Sequence, residues 1–289
     1  MKASSKRSNN LQGIVACPGD KSISQRSVII GSLLKDDIQI RGFLFAEDPL
    51  STIGALRNLG HEIEIDDDMI LIKNSSKNTL DKKVFCDLGN SGTGFRLISG
   101  LIAGQEINAQ LTGDESLSKR PMNRIINPLN EMGANIESNK GCAPLIFHKT
   151  QLVKEFTYEM PIASAQLKSC LLLAAISSNM KLTLQENKIS RDHTERMLKF
   201  FGANITSEKY GAGQEIVLDT DSKLKAKNYS VVGDFSSASF LIVAALITKD
   251  SSITIKNVGI NETRFTLIEI LKKMGSNINI KNHSICCGE

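Results

Sequence analysis

No charge of one sign dominates this chain of 289 residues: 35 lysines and arginines stand against 31 aspartates and glutamates, a formal net charge of +4. So mild a balance argues against nucleic acid or an anionic membrane as a partner, and any positive potential that matters is focused locally. No C-x-x-C pair occurs among the cysteines at 17, 86, 142, 170, 286 and 287. Their spacing is not that of a secreted disulfide framework, so reduced thiols in a cytoplasmic protein are expected. Cys286 and Cys287 adjoin with no ligand partners nearby, and His61, His148, His193 and His283 lack helical ligand spacing, so no metal site is expected. The longest apolar runs, such as FLIVAALI at 240–247, are too short to span a bilayer. The opening MKASSKRSNN has no apolar segment, which excludes a secretory signal and predicts a short disordered lead-in.

What the chain does have is an internal repeat. LRNLGHEIEI, LNEMGANIES, LKFFGANITS and LKKMGSNINI each read as the end of an amphipathic helix, a glycine at the C-cap, and alternating strand-like residues. The glycines are 60, 133, 202 and 275. A second landmark recurs in step: small-residue turns starting at Ser22, Ser91, Ser164 and Ser236 each feed a strongly apolar helix. Such helices are expected to be buried nearly all round. Two landmarks in phase through four copies predict four units of about seventy residues, each strand, buried helix, strand, outer helix and two strands. The mixed αβ content points to globular lobes, and the turns before the buried helices become candidates for one shared cleft.

Those turns carry the chemistry. In CPGDKSISQR, glycine frees the backbone to turn and Ser22 is expected to cap a helix entering at Ile23, with Lys21 and Arg26 beside it. Two cations at a helix N-terminus suit an anion; a capped surface helix with solvated basic residues is the other reading. In LGNSGTGFR, Gly89, Gly92 and Gly94 would let backbone N–H groups approach an anion, or serve only a tight turn. Their order is the reverse of a dinucleotide fingerprint, and Asp20 before Lys21 rules out an NTPase phosphate loop. In GDESLSKRPMNR, Pro121 suits a first helical position and leaves Arg120 in a positive field where an anion contact is natural. Asp192 and Glu195 read as a capping box, with Arg191 as the anion candidate. Ser164 and Gln166 stand at another helix entrance, able to hydrogen-bond a phosphate or hydroxyl or, for the serine, to cap.

Together and in this order, PGDKSISQRS, LGNSGTGFRL, GDESLSKRPM, ASAQLKS, SRDHTERML, GDFSSAS and TRFTLIEILKKMG resemble the 5-enolpyruvylshikimate-3-phosphate synthase (3-phosphoshikimate 1-carboxyvinyltransferase) family, from about residue 11 to about residue 280. The resemblance implies an α/β (α+β) fold of inverted α/β barrel lobes built from βαβαββ units. It also implies transfer of the enolpyruvyl group of phosphoenolpyruvate to shikimate 3-phosphate with release of phosphate, in chorismate and aromatic amino-acid biosynthesis, without metal or cofactor. By resemblance, Lys21 would touch both substrates. Ser22 and Arg26 would hold the shikimate moiety, and Gly92 and Arg120 would bind phosphoenolpyruvate. Ser164, Ala165 through its backbone, Gln166 and Arg191 would surround the shikimate phosphate and ring, with Gln166 also reaching phosphoenolpyruvate. Some glyphosate-insensitive members carry alanine where this chain has Gly92.

The family has six units in two lobes. Residues 19–230 would form one complete lobe, and residues 1–18 with 231–289 part of the second. The family's general base, an aspartate, belongs to the second lobe and has no counterpart here. These residues alone are therefore expected to be inactive, to expose apolar faces on unit four, and to suit a complementing C-terminal chain; the resemblance implies that full-length members are usually monomeric. Two rivals remain: a related transferase acting on a UDP-amino sugar, and a non-catalytic binding subunit of a split enzyme.

Overall fold

The computed structural model describes residue 4, residues 9–74 and residues 83–289. Most of the polar lead-in lies outside the described residues. The first unit holds α1 (Lys21–Gly31), β2 (Ile38–Arg41), α2 (Glu47–Asn58), β3 (Glu62–Asp66) and β4 (Met69–Lys73), and is preceded by β1 (Gln12–Ala16). The second holds β5 (Val84–Asp87), α3 (Gly92–Gly104), β6 (Ala109–Thr112), the short α4 (Glu115–Ser118), α5 (Asn123–Glu131), β7 (Asn135–Asn139) and β8 (Cys142–His148). The third holds β9 (Glu155–Met160), α6 (Ala165–Ser178), β10 (Lys181–Glu186), α7 (His193–Phe200), β11 (Ile205–Tyr210) and β12 (Gly213–Leu218). After β13 (Tyr229–Ser230) come α8 (Phe235–Ile247), β14 (Ser252–Lys256) and α9 (Thr266–Lys273).

The repeat is a structural one. The sheets of units two and three run β5-β6-β8-β7 and β9-β10-β12-β11, with the first pair parallel and the others antiparallel. The first unit has the same order, β13-β2-β4-β3, but its leading strand comes from beyond unit three. Strand β1 instead pairs in parallel with β14, Gln12 opposite Ser252 through Ala16 opposite Lys256. All four landmark glycines close their helices in the left-handed region, with φ of 84° at Gly60, 102° at Gly133, 92° at Gly202 and 93° at Gly275.

Helices α1, α3 and α6 form the inside. Phe95, Leu97, Ile98, Leu101 and Ile102 of α3 are each 0% exposed, and burying a side chain of this kind contributes roughly 1.5–3 kcal/mol. Helix α6 lies hard against α3 because glycine permits it: a Cβ added at Gly100 would stand 2.0 Å from the Cys170 carbonyl oxygen. Only Phe235 and Ala238 of α8 are buried, contrary to the expectation of burial all round, and Phe240 and Ile247 are 78% and 80% exposed. Where strand-like residues follow Gly275, none forms a strand, since β1 and β14 make only a two-stranded sheet there. Among the described residues no helix is long and apolar enough to cross a membrane.

Candidate functional site

The entrance to α1 is capped two residues earlier than expected. Asp20, not Ser22, takes the cap: its Oδ1 accepts from the Ser22 and Ile23 amides at 2.8 and 3.0 Å. Lys21 thus becomes the first helical residue, and Ser22 lies inside the first turn. The second carboxylate oxygen of Asp20 pairs with Arg264, which also binds Ser236 at the mouth of α8. Asp234 caps α8 through the Ser236 and Ser237 amides and accepts from the Lys21 amide at 3.3 Å. The starts of α1 and α8 are therefore tied together where the chain crosses from β1 and returns from β13.

From α1, Arg26 reaches into the body of the protein with 3% exposure. Its Nε donates to Thr194 Oγ1 and its Nη2 to Ser169 Oγ, both at 2.8 Å, and its Nη1 to the Ser22 carbonyl at 3.0 Å. All its partners are neutral. Burial, joined by the nearby Arg191 charge, pulls Arg26 down to about 10 against the opposing pull of Glu195 and Asp20. It remains a cation at neutral pH.

A second group of arginines gathers at the entrance to α3. Ser91 caps that helix, accepting from the Gly94 amide at 3.1 Å. Arg96 donates to the Gly92 carbonyl at 3.0 Å and to Gln166 Oε1 at 3.1 Å. Gln166 in turn donates to Thr93 at 2.9 Å. Arg120 binds Asn90, and an added Cβ at Gly92 would meet Arg120 Nη1 at 2.8 Å and Arg96 Nη1 at 3.1 Å. Burial and the charges of Arg124 and Arg120 lower Arg96. Arg124 approaches the α6 cap, Ser164 Oγ, at 3.5 Å.

Helix α6 joins the two groups. Ser164 faces Arg124, Gln166 holds Arg96, and Ser169 holds Arg26. Ala165, the first residue of α6, offers a backbone N–H without a helical partner. Arg191 is exposed beside Arg26. Among the described residues no carboxylate forms an ion pair with Arg26, Arg96, Arg120, Arg124 or Arg191. Four of these guanidinium groups, all but Arg191, are held by neutral oxygens, and neutral partners leave their charge available to an anion.

Lys21 stands apart from this network. Its ammonium pairs with Asp48, and its side chain is half exposed. The link to α3 runs through Gln25, whose Nε2 donates to the Asp48 carbonyl at 3.3 Å, Thr52 at 3.0 Å and Ser91 at 2.6 Å.

Two further expectations need correction. Helix α5 starts at Asn123, so Pro121 lies in the link before it, where the Met122 amide is claimed by the Gly141 carbonyl. Asp192 and Glu195 do not make a capping box. Asp192 accepts from Arg196 Nε and Asn261 Nδ2, each at 2.7 Å, while Glu195 turns inward to Lys168 Nζ at 2.6 Å. The tertiary partners outbid the local cap.

Sequence reasoning missed Arg96, Arg124, Gln25 and Lys168. Arg96 and Lys168 had a signal, each the one charged residue of its helix. Arg124 and Gln25 had none, because their roles depend on neighbours far along the chain.

A family profile described as EPSP synthase (3-phosphoshikimate 1-carboxyvinyltransferase) matches residues 5–288. A 3-phosphoshikimate 1-carboxyvinyltransferase of Vesicomyosocius okutanii subsp. Calyptogena okutanii is 45% identical over 283 residues, 98% of this chain and 64% of the relative. One from Streptococcus pyogenes serotype M1 is 44% identical, over 93% of this chain and 62% of the relative. The solved EPSP synthase of Acinetobacter baumannii superposes with a TM-score of 0.86 at 40% identity, covering 96% of this chain and 63% of that one. This chain therefore spans less than two thirds of the length of these relatives. By profile, identity and fold alike, the chain belongs to the EPSP synthase family.

Proposed function

We propose that this chain serves enolpyruvyl transfer from phosphoenolpyruvate to the 5-hydroxyl of shikimate 3-phosphate, with release of phosphate, in the cytoplasm. The observation that carries the reading is the group of five arginines, around the entrances of α1, α3, α6 and α7, that pair with no carboxylate among the described residues. Both substrates are polyanions. Fixed guanidinium groups and helix N-termini bind them and stabilise charge that develops during transfer, provided the groups are held in place beforehand.

In this reading Arg26 and Ser22 hold the shikimate moiety. Ser164, the Ala165 amide, Gln166 and Arg191 surround its phosphate and ring. Gly92 and Arg120 bind phosphoenolpyruvate, with Gln166 reaching across. Lys21 exchanges Asp48 for the substrates on binding. Arg96 and Arg124, beside Gln166 and Ser164, add positive charge to the phosphoenolpyruvate side.

Residues 19–230 form one lobe and residues 1–18 with 231–289 belong to a second; the pairings of β1 with β14 and of β13 with β2 support that division. These 289 residues on their own bind shikimate 3-phosphate without turnover, since the family's general base has no counterpart among them. The exposed face of α8 then receives further chain corresponding to the remaining third of the relatives.

Phosphate release from phosphoenolpyruvate tests this. The chain alone gives none above background, and adding the corresponding last third of a relative, as a separate polypeptide, restores it. Turnover by the chain alone refutes the inactivity; no turnover from the mixture, with both pieces folded, counts against the enzymatic reading.

A further inference from the structure

Lys168 is the one charged residue of α6 and is 0% exposed. Its ammonium donates to Glu186 Oε1 at 3.0 Å and the Ser190 carbonyl at 3.3 Å, and forms an ion pair with Glu195 Oε1 at 2.6 Å. Glu186 is also fully buried, and accepts from the Ser190 amide at 3.1 Å, Ser190 Oγ at 2.8 Å and Gln214 Nε2 at 2.6 Å. Every polar group of Ser190 is thus bound by Lys168 or Glu186, and the next residue is Arg191. On the other side Glu195 follows Thr194, the residue that receives Arg26 Nε. Ser169, next to Lys168, receives the other end of Arg26 and meets Thr194 Oγ1 at 2.6 Å.

Stability explains this triad poorly. Replacing a buried ion pair by apolar residues of similar size is often neutral or stabilising, because two charges must be stripped of water. Burial pushes Glu195 above the usual carboxylate range even against the Lys168 charge. Beyond that ion pair neither Glu195 oxygen has a hydrogen-bond partner among the described residues. The group is costly, yet it braces the two segments that carry Arg191 and Arg26.

We propose that Lys168 is a positioning residue. Without touching a ligand, it fixes Arg191 through Glu186 and Ser190, and Arg26 through Glu195 and Thr194, and so sets the affinity of that half of the cluster for an oxyanion. The inference rests on the reading of this cluster as an anion site. The other half, Arg96 and Arg120, contacts neither Lys168 nor its two glutamates among the described residues and serves as an internal control.

The test follows arginine Nε–Hε resonances during titration with inorganic phosphate, in the parent chain and in Lys168→Met. The Arg26 and Arg191 responses weaken by about tenfold in the variant while those of Arg96 and Arg120 hold within about twofold. Amide exchange at Ser190 accelerates, and exchange in the core of α3 does not. If Lys168→Met fails to fold, Lys168→Met with Glu195→Gln removes the charge imbalance and carries the same expectation. Unchanged phosphate affinity at Arg26 and Arg191 overturns the proposal, as does an equal loss in both halves. Absence of any phosphate response at Arg26 and Arg191 in the parent overturns it too. Should shikimate 3-phosphate bind no more tightly than phosphate itself, the synthase reading fails while the positioning role stands.

Discussion

Arg26 and Thr194 lie 168 residues apart in sequence and meet at 2.8 Å, guanidinium Nε to hydroxyl Oγ1. The contact closes α1 of the first unit onto α7 of the third, so it reports whether the units share one interior. Removing the acceptor leaves a buried charged donor unsatisfied. Thr194→Val is expected to destabilise the fold by about 1–3 kcal/mol, read from urea unfolding. A variant as stable as the parent contradicts the pairing.

Gly92 separates stability from binding. In a helix interior alanine is favoured over glycine by roughly 0.5–1 kcal/mol, Gly92 opens α3, and the atoms an added Cβ would press are the far ends of the long Arg120 and Arg96 side chains. Gly92→Ala is therefore expected to keep or slightly raise thermal stability while weakening phosphoenolpyruvate binding, since both guanidinium groups must shift. Calorimetric binding beside a melting curve checks both halves. Intact binding contradicts the placement of that substrate.

Helix α8 exposes Phe240, Val243, Leu246 and Ile247 beside an apolar groove of about 380 Å³ that also touches Leu267. A patch of this kind binds hydrophobic dyes. Phe240→Ser with Ile247→Ser is expected to abolish most dye fluorescence at little cost in stability, because neither side chain is buried. Equal fluorescence from parent and variant argues that the dye reports another surface.

Glu195 gives the fold a pH dependence of known sign. Burial raises its folded value, so the folded chain keeps a proton that the unfolded chain has already lost. Stability from this group consequently falls as pH rises from the ordinary glutamate range through the raised value, and then levels off. Glu195→Gln removes that slope. The stability of the parent relative to the variant is expected to decline across this window; a flat difference shows that Glu195 titrates normally.

Much of the repeat was legible because glycine and small-residue turns are local signals: Gly60, Gly133, Gly202 and Gly275 all cap helices as their spacing predicts. Strand exchange was less so. The resemblance placed residues 1–18 with the fourth unit, but the pairing of β13 with β2 depends on a two-residue strand with no pattern of its own. The caps misled where tertiary partners compete. Asp20 outranks Ser22 because a carboxylate two residues earlier meets two amides, and Asp192 is drawn away by Asn261, 69 residues along the chain. Ser164, Gln166 and Arg26 were read as site candidates and are joined by α6, whereas Lys21 is held by Asp48. Arg124 and Gln25 carried no signal because a charge or amide acquires its role from what folds against it.

The most direct measurement is calorimetric titration of these 289 residues with shikimate 3-phosphate, alongside Arg26→Met and Arg120→Met. The account predicts saturable one-to-one binding that Arg26→Met weakens by at least about tenfold, with a smaller loss for Arg120→Met. Absence of binding by the folded parent, or equal affinity in parent and Arg26→Met, contradicts a shared anion site at the helix entrances.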